Sequence, residues 1–316
     1  MTTTLAHSGL SSGTLGKRLH LLIYGPFGTR KTPTAHGLPH TRTLDFDDGM
    51  QSVEWAILAG KLDRELGDIV YETITPPPTM DESKNKIFDY SQDVIDQWVA
   101  DEDVDPAHWE EYCKEHNEGR VYPQFWDTLI IDSGTSLTTG VIVKALQEMH
   151  RLELSQSWSK RKVKGLTPVM IQDRGAVNAL FSKFMSMCFG TGKNIVLICH
   201  EYQNVSKKGA LQGVEPLLSG QLRQTVPKDF DEVWYAKITG TVKDNKGVLQ
   251  TAADPMRRCR SRLGCLDPFE EGNFTDIKNK VAKFYGVKAD DLWLASHGTA
   301  EAKAFQKEEA EDAVMV

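Results

Sequence analysis

Short continuous apolar runs alternate with longer stretches of helical period through the first 200 residues of the chain. The runs at residues 19–24 (LHLLIY), 41–46, 69–74, 126–131 and 194–199 are bounded by turn residues and read as buried strands. Between them, a short helix from Thr32 to about Gly37 and helices over 51–66, 138–154 and 172–189 are predicted; Val53, Ile57 and Leu58 form the apolar stripe of the second. Pro76 to Pro78 close the third strand. Residues 80–120 are acidic and helical, with Ile87, Val94, Ile95 and Trp98 in one stripe, and read as an insertion on the surface of the core. Later, 233–239 and 248–251 read as paired strands around an Asp244-Asn245-Lys246-Gly247 turn. Strands alternating with helices predict an α/β fold, a mainly parallel sheet with helices on both faces.

Composition narrows the class. Of 316 residues, 40% are hydrophobic and 26% charged, which is globular composition. No run reaches the ~18 apolar residues of a membrane span. Residues 1–17 read as a flexible arm without the apolar region of a secretory signal, so a cytoplasmic location is expected and no membrane partner. Residues 299–316 form an acidic tail. The net charge of −7 restricts any nucleic-acid contact to local basic patches. The five cysteines form no CxxC pair, which points away from a zinc site or a disulfide framework.

The first apolar run leads into Gly25-Pro26-Phe27-Gly28-Thr29-Arg30-Lys31-Thr32. This fits the phosphate-binding spacing G-x-x-x-x-G-K-[ST], except that Arg30 stands at the second glycine. Backbone N–H groups of such a loop converge on phosphate oxygens, the lysine reaches the β- and γ-phosphates and the hydroxyl binds Mg²⁺. Arg30 either crowds that approach or adds charge to it. Asp132 ends the apolar run of LIIDS, where a carboxylate holds the Mg²⁺ shell opposite Thr32. Asp45, Asp47 and Asp48 follow the second strand; one of them can act as general base on water, although Asp-Asp-Gly is equally good turn chemistry. His200 ends the strand NIVLIC and can sense the γ-phosphate; a histidine there is also a common structural residue.

The stretches LLIYGPFGTRKT, TLDFDDG, TLIIDS, NIVLICHE, PLLSGQLRQTVPKDFDEVWY and LQTAADPMRRCRSR, spanning about residues 19–265, resemble the RecA superfamily. More narrowly, they resemble phage-encoded RecA-like ATPases of single-strand annealing and homologous recombination. The resemblance implies a RecA-like P-loop NTPase core over 18–298 with ATP and Mg²⁺ as cofactors. It implies Asp47 as the catalytic carboxylate, where glutamate is usual, and His200 as the sensor. It places Arg260 and Arg262 as a pair reaching a neighbouring subunit's γ-phosphate; a solvated basic cluster is the other reading. A composite site implies a homo-oligomer, ring or filament. The family's two DNA-contacting loops correspond to 157–165, with Trp158, Lys160, Arg161, Lys162 and Lys164, and to about 203–220, with Lys207 and Lys208. The expected function is a DNA-stimulated ATPase that binds single-stranded DNA and promotes annealing, in an infected bacterial host if phage-encoded. Its expected further partner is a single-strand-binding or replication/recombination protein. A nucleotide-gated DNA-binding or assembly protein with little hydrolysis, and a helicase-type motor, stand as alternatives.

Overall fold

The computed structural model describes residues 18–74, 87–117, 119–149, 173–241 and 244–294. The expected strands form: β1 (His20–Gly25), β2 (Thr41–Asp45), β3 (Val70–Thr73), β4 (Thr128–Asp132) and β5 (Asn194–Val205). All pair in parallel, in the order β3-β2-β4-β5-β1, and β7 (Glu232–Thr241) continues the parallel run on the other side of β1. β8 (Asp244–Gln250) and β9 (Phe269–Glu271) then add antiparallel strands.

Helices cover both faces because successive strand residues point opposite ways. Leu22, Tyr24, Leu129 and Ile131 face α3 (Ile87–Asp101), α5 (Gly134–Glu148) and α6 (Asp173–Gly190) in one cluster. Leu21, Ile23, Ile130 and Val196 face α1 (Lys31–Ala35) and α8 (Phe274–Tyr285) in the other. The short α7 (Leu222–Thr225) adds Leu222 to the first cluster, and α4 (Trp109–His116) lies outside both. Among the described residues, no helix is long and apolar enough to cross a membrane.

Four sequence expectations are corrected. Helix α2 (Gln51–Leu58) stops well before residue 66, at a left-handed Gly60. Within the acidic stretch near 80–120 the described residues form α3 and α4, but α3 buries Ile95 and Trp98 in the main core instead of resting on its surface. The expected loop over 203–220 is largely a hairpin, with β5 running on to Val205 and pairing with β6 (Leu211–Pro216). Asp244 to Gly247 are not the turn: they lie within β8 and pair with Ile238 to Thr241 of β7. Strand β9 had no sequence signal beyond three residues.

Arg42 explains why α3 is drawn inward. This arginine on β2 is 1% exposed. Its guanidinium bonds Asp101 at 3.2 Å and the carbonyls of Trp98, Pro123 and Gln124. The rings of Trp98, Tyr122 and Trp126 lie 5.1–5.7 Å from it. A buried charge whose two terminal nitrogens bond four partners holds its neighbours in place, and its removal strands Asp101. Arg42→Ala is therefore expected to cost about 3–5 kcal/mol, read as a lower urea midpoint at unchanged slope.

Candidate active site

Strand register assembles the site. Gly25 pairs with His200, Asp132 with Ile198, and Asp45 with Asp132, so β1, β2 and β4 end side by side next to His200 of β5. Ligands of parallel sheets bind at this carboxyl edge. A cavity of about 1030 Å³ opens there, bordered by residues 27–34, Asp47, Asp132, Ser136 and His200. Gly25 is required for a steric reason: a Cβ on it would lie 2.2 Å from the Ala236 carbonyl oxygen.

Lys31 is 6% exposed. Its ammonium donates to the carbonyls of Gly25 at 3.0 Å and Pro26 at 2.7 Å, and to Thr29 Oγ1 at 3.4 Å. Burial lowers its pKa, and Asp132 opposes that shift. Thr32 Oγ1 donates to Asp132 Oδ2 at 2.5 Å, the pairing expected of a hydroxyl and a carboxylate sharing a cation shell. Arg30 does not crowd the loop. It takes the left-handed conformation, φ 63°, that the consensus glycine would supply, and its guanidinium reaches out to Asn245.

The acidic group after β2 divides into distinct roles. Asp45 is fully buried and accepts from the N–H groups of Asp47 and Gly49, so it shapes the turn. Asp47 turns into the cavity. One of its oxygens accepts from the Ser136 hydroxyl, and the other lies 3.0 Å from His200 Nε2. Burial alone would raise Asp47, but hydrogen bonds from His200, Ser136 and Ser133 outweigh it and hold the carboxyl below its ordinary value. Burial pushes Asp132 up to about 6; the Thr32 hydroxyl and Lys31 oppose the rise, and Asp47 and Asp45 add to it. Phe27, 80% exposed, packs its ring 4.1 Å from that of His200.

The sequence matches the AAA domain family over residues 17–263. The chain belongs to that family. The matched region of this AAA domain contains the loop, Asp47, Asp132, His200 and the 257–262 arginines, and the chain is an ATP-binding P-loop NTPase of α/β architecture. No curated protein matches it in sequence. Among solved structures it is similar to the flagellar accessory protein FlaH from Methanocaldococcus jannaschii, at 11% identity and a TM-score of 0.32, over 74% of this chain and 78% of that one.

A magnesium ion suits the residues present. Among the described residues, no group of three or more His, Cys, Asp or Glu could hold a metal unaided. Magnesium needs little protein: one carboxylate and one hydroxyl suffice when phosphates and water complete its shell. Thr32 and Asp132 are that pair.

Other expected residues lie elsewhere. Arg260 donates to the carbonyls of Pro227, Lys228 and Phe230, and Arg262 pairs with Asp231 at 2.7 Å. Both sit by the first residues of β7, at the opposite edge of the sheet from the cavity, so they do not reach this chain's own site. Lys207 and Lys208 are exposed at the tip of the β5–β6 hairpin. Trp158, Lys160, Arg161, Lys162 and Lys164 lie outside the described residues.

Sequence reasoning missed Ser136 and Thr135; the latter's hydroxyl accepts from the His200 N–H at 3.1 Å. Their signal was the hydroxyl-rich run that opens a helix directly after Asp132. It also missed Trp55, 53% exposed at the cavity wall, which falls off the apolar stripe of its helix.

The raised Asp132 pKa gives a signed prediction. The folded chain holds this proton more tightly than the unfolded chain does, so stability falls as pH rises from about 4 to about 6 and stays lowered above that. Asp132→Asn keeps an acceptor for Thr32 and removes the charge. Without nucleotide or divalent cation, urea unfolding should find it roughly 2–3 kcal/mol more stable than wild type at pH 7.5, with the two converging near pH 4.

Proposed function

We propose that this AAA domain hydrolyses ATP at the β1–β2–β4–β5 edge and couples the step to single-stranded DNA, in annealing or recombination of the kind phages encode. The observation that carries this reading is the Asp47–His200 contact at 3.0 Å, beside the Lys31 loop and the Thr32–Asp132 pair. The Asp47 carboxylate, kept ionised, accepts a proton from water attacking the γ-phosphate. Lys31 gives up its loop carbonyls to the β- and γ-phosphates, and Thr32 with Asp132 holds the cation. Bound Mg²⁺ supplies positive charge against the oxygens of the transferring phosphoryl group. The exposed face of Trp55 offers a stacking surface for the base, farther along the cavity.

His200 joins this chemistry to the DNA side. Its strand continues beyond the sheet into the β5–β6 hairpin that carries Lys207 and Lys208. A shift of His200 with the γ-phosphate is transmitted along one continuous strand. A ring or filament of copies with Arg260 or Arg262 entering the neighbour's site, and a single-strand-binding protein as partner, belong to the same proposal. One observation favours the rival of a nucleotide-gated DNA binder with little turnover: both oxygens of Asp47 are already engaged, by Ser136 and His200.

Phosphate release from Mg-ATP, with and without single-stranded DNA, decides between the two. Lys31→Ala should abolish release, and Asp47→Asn should lower kcat at least about 100-fold with little change in KM. Tight nucleotide binding without phosphate release in the wild type would select the gated binder. On the DNA side, Lys207→Ala with Lys208→Ala should weaken binding to an oligonucleotide and flatten the log–log salt slope by roughly 1.4, about 0.7 per lost phosphate contact. An unchanged slope would remove the hairpin from the DNA surface.

A further inference from the structure

Arg30 occupies a loop position at which a side chain is a liability. Its φ of 63° and ψ of 26° are left-handed, a conformation free to glycine and strained for other residues. Something must hold it there, and the contacts show what. The guanidinium Nη2 donates to Asn245 Oδ1 at 2.6 Å and lies 3.4 Å from the Asn245 carbonyl. Asn245 is on β8, and the next two residues of that strand, Lys246 and Gly247, line the cavity while Asn245 does not. The clamp therefore commits the Arg30 guanidinium to β8, beside the cavity that Arg30 also borders.

The contacts close on themselves. Gly247 accepts from the Gly272 N–H at 2.8 Å. Gly272 in turn accepts from the Thr34 hydroxyl at 3.2 Å, and the same hydroxyl donates to the Arg30 carbonyl at 2.8 Å. A Cβ on Gly272 would lie 3.1 Å from the Gly247 backbone, so the two strands are in close contact. The phosphate loop, α1, β8 and the start of α8 are thus fastened in one circuit around the cavity wall.

We propose that Arg30 is a positioning residue and not a phosphate ligand: it straps the nucleotide loop to β8 through Asn245, and this strap sets how long a nucleotide stays bound. The proposal rests on the cavity being the nucleotide site. With the strap intact, the loop and the wall formed by Lys246, Gly247 and Gly272 move together. Without it, β8 is tied to the loop only through Gly272 and Thr34, and nucleotide leaves more readily.

The test is the dissociation rate of Mg²⁺-bound N-methylanthraniloyl-ADP from the full chain, chased with unlabelled ADP. R30G keeps the backbone conformation without strain and removes the fork; N245A removes the acceptor. Each should raise the rate about fivefold, and R30G/N245A should be no faster than either alone, as for two ends of one contact. N245D, which preserves an acceptor for the guanidinium, should hold the rate at or below wild type. Circular dichroism melts of each variant separate loss of the strap from loss of the fold. The proposal is overturned if R30G accelerates release while N245A does not, or if the two effects add, because Arg30 would then act without Asn245. A wild type indistinguishable from Lys31→Ala in nucleotide retention would overturn the assignment of the cavity itself, and the strap with it.

Discussion

The backbone of β1 is consumed on both edges, by β5 along His20–Gly25 and by β7 along Leu21–Tyr24. A strand so enclosed cannot shift register without exposing its polar groups, so the point at which the chain leaves the sheet is fixed at Gly25. That exit places the phosphate loop beside His200 of β5 and over the ends of β4 and β2. Leu22 and Tyr24 are committed to one core and Leu21 and Ile23 to the other, so burial enforces the same register as the hydrogen bonds. The site is a consequence of where these strands stop.

Three carboxylates and one ammonium then share that edge, and each is stabilised differently. Asp45 is absorbed by backbone N–H groups. Asp47 is held ionised by donors from α5 and β5. Asp132 is the strained member, raised by burial and by its acidic neighbours and relieved in part by the Thr32 hydroxyl. A cation delivered with a nucleotide would relieve it further, since positive charge beside a buried carboxylate favours its ionised form. The destabilisation of the free site is the natural counterpart of its affinity for a bound cation.

The antiparallel additions β6, β8 and β9 carry the elements that distinguish this protein from a bare parallel sheet. The β5–β6 hairpin extends the strand of His200 outward to Lys207 and Lys208. The β8–β9 pair brings Asn245, Lys246 and Gly272 against the phosphate loop. Both attach to strands that run past the site, β5 and β7, so each can respond to what occupies it.

The sequence determined the chemistry by local means. Continuous apolar runs marked β1, β2, β4 and β5, because strands buried on both faces cannot alternate. The residues GPFGTRKT, Asp132, Asp47 and His200 were legible because each follows such a run. What it did not contain was which side chains meet. Thr32 and Asp132 are 100 residues apart, Asp47 and His200 are 153 apart, and Arg30 and Asn245 are 215 apart. Whether Asp45 or Asp47 enters the cavity, whether Arg30 blocks the loop or straps it, and whether α3 lies on the core or in it were all decided by strand order and by partners such as Arg42. A local pattern reports how a segment buries its own surface. Only the assembled sheet fixes the distances between segments, and hydrogen bonds and charge shifts depend on those distances.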